Sequence, residues 1–149
     1  MNTEKRYIKP AKATNSFNNF VQWLTKRGVS VVGSRVLMVR GRKTGEIREV
    51  PVNLLPFEGG RYLVAPRGAT QWVRNLRVAG EGQLRVGKRV EGFTYRELAD
   101  DEKPALLRAY LKRWKFEVGV FFDGVDAKAP EEKLREIAPG YPIFELMPA

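Results

Sequence analysis

Apolar residues in the middle of the chain fall in short runs punctuated by glycine, proline and charge. Val36 to Val39 is one run, Ile47 to Phe57 a longer one, and Tyr62 to Ala65 a third. Short runs rich in aliphatic and aromatic residues and bounded by turn residues predict strands. Pro51 and Pro56 push the second run toward an edge or a bulge, because proline cannot donate to a ladder. Glu58-Gly59-Gly60-Arg61 predicts a hairpin turn. Two more strands, Gln83 to Val86 and Val90 to Leu98, are joined by Gly87-Lys88. A last strand runs from Ile143 to Met147, after the turn Pro139-Gly140-Tyr141-Pro142.

Helical spacing shows in four places. Phe17, Phe20, Val21 and Leu24 make one stripe in a segment that Asn15 or Ser16 can cap and Gly28 ends after Arg27. That stripe suits a helix packed on the core; Trp23, Lys26 and Arg27 beside it also suit a membrane surface. Gln71 to Ala79 predicts a short helix after the loop Pro66 to Thr70, with Trp72, Leu76 and Val73 turned inward and Gly80 as its stop. Asp100 or Asp101 is placed to cap a long helix with Pro104 in its first turn. Leu106, Leu107, Tyr110, Leu111 and Trp114 mark the buried face of that helix, and Phe121 and Phe122 follow it. Pro130 opens a short helix from Glu131 to Ala138. Residues 1–14 read as a loose polar arm. Short strands in meandering order, with helices inserted rather than alternating, predict a mainly β (α+β) fold. It would be a small antiparallel barrel with peripheral helices in a single domain spanning 1–149.

Composition narrows the chemistry. At 43% hydrophobic, 149 residues can bury a core. There are no cysteines and no histidines. Disulfides, thiolate catalysis, a Ser-His-Asp triad and the common zinc sites are excluded, and no metal site is expected. The net charge is +10, and it is unevenly spread. Residues 1–96 carry 19 basic and 6 acidic side chains; residues 97–149 carry 8 and 11. An anionic partner for the first two-thirds follows: nucleic acid, an anionic membrane or a phosphorylated ligand. No apolar run reaches membrane-spanning length and the N-terminus lacks a signal-peptide core, so the expected location is the cytoplasm.

Two stretches carry candidate chemistry. In the first, Gly41 to Pro51, the side chains of Arg42, Lys43 and Arg48 supply charge and Thr44 a hydroxyl. Gly41 and Gly45 let backbone amides approach a ligand. This is an anion site or a solvated basic turn; its spacing is not that of a Walker loop. The second is Val64-Ala65-Pro66-Arg67-Gly68 followed by Trp72 and Asn75, a strand end leading through a basic loop to a helix N-terminus. That arrangement suits phosphate or carboxylate, although Trp72 and Leu76 also suit the core. Tyr110, Trp114, Phe116, Phe121 and Phe122 form an aromatic set, most of it core, with one or two members able to line a pocket mouth.

Gly-Arg-Lys-Thr-Gly-x-x-Arg-x-x-Pro at 41–51, a Gly-Gly hairpin, Val-Ala-Pro-Arg-Gly and Trp-x-x-Asn-Leu at 72–76 together resemble the deazaflavin-dependent nitroreductase family. These are actinobacterial-type proteins related to flavin-binding split-barrel enzymes. The resemblance covers about residues 33–97 and, more loosely, 142–146. It implies a split β-barrel that binds coenzyme F420, whose phosphate and polyglutamate tail would account for the basic first two-thirds. By position, Arg42, Lys43, Thr44 and Arg48 would hold the phosphate and tail, and Val50 and Pro51 would lie along the deazaflavin. Ala65, Pro66, Arg67 and Gly68 would form the loop over it, with Gln71, Trp72 and Asn75 completing the site. Nitro-reducing members have tyrosine where this chain has Asn53 and serine where it has Pro66, and the loop between Arg67 and Trp72 is shorter here.

The implied function is hydride transfer from reduced F420 to a quinone, enone or nitro acceptor held near Asn53 and Trp114. The cofactor does the chemistry that a chain without His or Cys lacks. No proton donor is identified. A carrier that binds F420 or a lipid without turnover is the alternative. Nucleic acid is not expected, because the aromatics do not interleave with the basic residues. Peripheral membrane contact through residues 15–27, and a monomer or homodimer, complete the expectations.

Overall fold

The computed structural model describes residues 34–148. The arm over 1–14 and the helix over 15–27 lie outside the described residues, as does the side chain of Phe116. Six strands are formed: β1 (Ser34–Arg40), β2 (Ile47–Phe57), β3 (Gly60–Val64), β4 (Glu81–Val86), β5 (Arg89–Glu97) and β6 (Ile143–Pro148). They close into an antiparallel barrel in the order β1-β2-β3-β6-β5-β4. Three helices accompany them among the described residues: α1 (Gln71–Ala79), α2 (Pro104–Val118) and α3 (Glu131–Ile137). The expected mainly β barrel with peripheral helices is what forms. Every predicted strand between 34 and 148 is present, with ends moved by at most two residues.

The prolines of β2 find their place through a division of labour along that strand. Residues 47–53 pair with β1, and residues 54–57 pair with β3. Each half is registered against one neighbour, so the N–H that Pro51 and Pro56 lack need leave no ladder bond unmade. The edge character expected from sequence is therefore local to each half, inside a sheet that as a whole is closed. The β2–β3 turn is two residues long, Glu58 at φ 46° and Gly59 at φ 81°. Two consecutive positive φ values match the type I′ turn, whose twist suits a hairpin.

Alternation along the strands sorts side chains into two cores. Leu37, Val39, Val52, Leu54, Leu63, Leu84, Phe93, Phe144 and Leu146 point into the barrel, where they meet Val73 and Leu76 of α1. Leu55, Val64 and Ile143 belong to the opposite face and pack under α2 and α3 with Leu107, Tyr110, Leu111, Trp114, Phe122 and Leu134. The predicted buried face of the long helix is buried throughout. Phe122 stacks on Tyr141 at 4.2 Å between ring centroids.

One predicted cap is corrected. Neither Asp100 nor Asp101 caps α2. They lie in a separate 3-10 turn, Asp100–Glu102, and α2 begins at Pro104. The polar work is redistributed. Glu102 Oε1 accepts from the Ala99 N–H at 2.9 Å, and Asp100 accepts from buried Lys103 Nζ at 2.7 Å. Lys103 Nζ also donates to the Ala138 carbonyl, which ties the start of α2 to the end of α3. A proline at the first helical position needs no N–H partner, so the helix can start there without a side-chain cap.

Candidate functional site: a basic hairpin bridged to a helix

The β1–β2 connection is a tight loop held by its own backbone. Gly41 N donates to the Glu46 carbonyl at 2.7 Å, and Gly45 N donates to the Gly41 carbonyl at 2.9 Å. Gly45 stands at φ 77°, where an L side chain is strained. Gly41 is required for space. A Cβ there would sit 3.2 Å from Glu46 O and 3.3 Å from Thr44 Oγ1. Thr44 Oγ1 accepts from the Glu46 N–H at 3.2 Å, and Arg40 Nη1 donates to the Gly45 carbonyl at 3.0 Å. Lys43, Thr44 and Arg48 are exposed around this loop, so their charge and hydroxyl are accessible.

Arg42 points elsewhere and joins the two motifs. Its backbone N–H donates to Asn75 Oδ1 at 3.1 Å, its Nη1 to the same oxygen at 2.7 Å, and its Nη2 to Gln71 Oε1 at 2.8 Å. Asn75 and Gln71 are one turn apart on α1, so they face the hairpin together. Asn75 is 6% exposed, and its carbonyl is consumed by Arg42. Five N–H groups fork from a guanidinium. The bonds to Asn75 and Gln71 orient the fork and use two of them.

Residues 65–70 lead from β3 into α1. Ala65 N donates to the Pro142 carbonyl at 2.9 Å, Gly68 N to Ala65 O at 3.2 Å, and Thr70 N to Gly68 O at 2.8 Å. Thr70 occupies the N-cap position, yet its Oγ1 makes no cap bond and is buried without a hydrogen-bond partner. The Arg67 guanidinium lies 5.0 Å above the Phe121 ring, a cation–π distance that ties this loop to the aromatic set. Two further contacts hold α1 in position: Tyr95 OH donates to the Leu76 carbonyl at 2.9 Å, and Arg77 forms a fork with Glu97.

The remaining candidates separate by face. Pro51 and Asn53 share the outer face of β2 with Leu55, whereas Val50 turns toward the barrel interior with Val52 and Leu54. Only one of the pair Val50 and Pro51 can therefore present its side chain beside Asn53. Asn53 is buried, and its Oδ1 has no hydrogen-bond partner. Trp72 is half-buried against Phe144, with ring centroids 5.8 Å apart, and so forms part of the wall. Trp114 is 2% exposed and its Nε1 donates to the Leu54 carbonyl at 3.3 Å. It sits inside the outer core rather than on a pocket surface, because α2 carries it directly onto β2. Thr70 is a further candidate that the sequence motifs do not announce. Its hydroxyl is notable only because the fold buries it.

Among the described residues no cluster of Asp and Glu could hold a metal ion, and no helix is long and apolar enough to cross a membrane.

Solved structures with this barrel are numerous. A structure described as an F420-H2 dependent reductase aligns over 78% of this chain and 95% of its own, with a TM-score of 0.51 and 19% identity. Another, described as a domain-swapped dimer, aligns over 87% and 98% with a TM-score of 0.54 and 18% identity. A FAD-binding protein from Mesorhizobium loti aligns over 83% and 86% with a TM-score of 0.53 and 14% identity. These likenesses establish the fold. No curated protein matches the sequence. The shared feature is the closed six-strand antiparallel barrel, here with a cationic β1–β2 hairpin bonded to α1. The sequence profile described as F420H(2)-dependent quinone reductase matches residues 16–127, and the chain belongs to that family. Reduced coenzyme F420 is accordingly its hydride donor.

Proposed function

We propose that this reductase passes hydride to a quinone, with enones and nitro compounds as further acceptors, and that the hairpin bridged to α1 anchors the cofactor. The observation that carries this reading is the bridge itself. Arg42 draws Gln71 and Asn75 to a loop that also exposes Lys43, Thr44 and Arg48. A fork of oriented N–H donors beside two more cations suits a phosphate and a carboxylate tail. The residues present fit the cofactor at its other end too. The unpartnered Asn53 Oδ1 and Thr70 Oγ1 are buried polar atoms of the kind that a ring bearing carbonyl and N–H groups can satisfy.

When bound, the reduced deazaflavin supplies the hydride. The chain's own residues bind and orient. Arg42, Lys43, Thr44 and Arg48 hold the anionic end; Pro51 and Asn53 offer the outer face of β2; Ala65, Pro66, Arg67 and Gly68 flank it. Hydride transfer requires close approach and exclusion of water. The stack of Arg67 on Phe121 braces the 65–70 loop for that purpose. Trp114 braces β2 from the same outer face, further along the strand, through its bond to Leu54 O, so its part in acceptor binding is indirect.

The test is a fluorescence titration of the protein with F420, followed by oxidation of the reduced complex by menadione. Binding with menadione-dependent oxidation is expected. Binding without oxidation would leave a carrier, and no binding would remove the reading. Arg42→Ala and Lys43→Ala should each weaken F420 by ~1–3 kcal/mol, the worth of a charged hydrogen bond. Light scattering decides between monomer and homodimer, and vesicle flotation tests membrane contact through residues 15–27.

A further inference from the structure

The barrel has a second cationic site, at the end away from α1. The hairpin and α1 meet the strand ends at Arg40, Val64 and Glu97. The opposite end carries the 58–59 and 87–88 turns and the start of β1. There a cavity of about 260 Å³ is lined by Arg35, Arg61, Arg89, Glu91, Leu84 and Val86. Strand register explains why these residues converge. Arg35 opposes Val52, Arg61 opposes Leu146, Leu84 opposes Glu91, and Val86 opposes Arg89. All have the parity of the barrel-filling side chains, so three strands aim an arginine at one mouth.

One carboxylate is set against three guanidinium groups. Glu91 pairs with Arg61. The charged groups acting most strongly on Arg35 are Arg61, Glu91, Arg89 and Arg113, of which only Glu91 is an acid. Like charges brought together around a partly desolvated cavity repel, and an anion entering it would relieve that repulsion. Burial and Arg61 push the Arg35 guanidinium below its ordinary pKa, in keeping with that crowding. Buried Leu84 gives the cavity an apolar floor, and exposed Val86 lines its rim.

We propose that this mouth binds a small oxyanion bearing two or more negative charges, of the phosphate or dicarboxylate class. Planar arginine forks match either group in two-point geometry. The volume equals roughly eight or nine waters and lies below the range for drug-sized ligands. The site is separate from the hairpin. The length of β1 places the two on the order of 20 Å apart.

The experiment is thermal unfolding of the whole chain, without F420, titrated with inorganic pyrophosphate or succinate at constant ionic strength. A saturable rise in Tm of about 3 °C or more is expected with at least one of them. The responding anion identifies the class. Arg89→Gln, at an exposed position, should abolish the rise, and Arg42→Ala should leave it intact. Glu91→Gln should lower the starting Tm and tighten anion binding several-fold. No saturable rise with either anion would overturn the proposal. So would a rise that survives Arg89→Gln, or one lost in Arg42→Ala, which would put the anion at the hairpin. The F420 titration reads the other site, so either reading can fail alone.

Discussion

Asn75 offers the sharpest test of how the cofactor anchor is built. Its Oδ1 accepts two N–H groups of Arg42, from the backbone at 3.1 Å and from Nη1 at 2.7 Å. Asn75→Ala removes both at once. A neutral hydrogen bond contributes ~0.5–1.5 kcal/mol and a charged one ~1.5–3. Arg42 is only half-buried, so water can replace part of what is lost and the lower ends apply. The expected loss of folding stability is about 1–3 kcal/mol, read as a drop in the urea midpoint at unchanged m-value. F420 binding should weaken as well, by about 5- to 30-fold for ~1–2 kcal/mol of lost orientation. Asn75→Asp separates the two effects. A carboxylate keeps the acceptor and adds an ion pair, so stability should hold or rise. It also neutralises Arg42, so F420 affinity should fall. If Asn75→Asp binds F420 as tightly as the natural chain, Arg42 is not part of the anion anchor. If Asn75→Ala changes neither stability nor affinity, the bridge does not organise the site.

Three further outcomes follow from the same structure. Glu58 holds φ 46° in the β2–β3 turn, a conformation that costs an L side chain roughly 1–2 kcal/mol; Glu58→Gly should raise stability by ~0.5–1 kcal/mol after the entropy of glycine is subtracted. Differential scanning calorimetry would show it, and a lower Tm would contradict the turn assignment. Trp114→Phe leaves the buried Leu54 carbonyl without its indole donor and should cost ~1–3 kcal/mol in chemical denaturation; unchanged stability would mean the bond contributes nothing. Hydrogen bonds from Arg96 and from the Ala99 N–H hold the Glu102 carboxyl below its ordinary value of 4.5. A depressed folded-state pKa means a contribution that is complete above pH 4.5 and lost as pH falls through the lowered value. Glu102→Gln should therefore flatten the acid limb of the stability–pH curve, and parallel acid limbs would refute the assignment.

Much of this protein is determined locally. Short apolar runs broken by Gly-Gly, Gly-Lys and Pro-Gly settle where strands stop, because turn geometry depends on neighbouring residues alone. The helical stripe Leu106, Leu107, Tyr110, Leu111 and Trp114 predicts a buried face for the same reason. The basic loop at 41–48 is visible because its glycines and charges lie within eight residues. The start of α2 departs from the local pattern because Asp100 and Asp101 satisfy a capping rule that the Lys103–Ala138 contact and the 3-10 turn override.

What only the tertiary structure decided is which distant residues share a site. Arg42 reaches Asn75 across 33 positions and Gln71 across 29, a meeting that strand order and the packing of α1 create. Strand register split Val50 from Pro51 and put Trp114 in the core instead of at a pocket. It also gathered Arg35, Arg61 and Arg89, unremarkable one by one, at a single barrel mouth. Alternation along a strand is written in the sequence. Which side chains then face each other depends on barrel closure, and closure is a property of all six strands together.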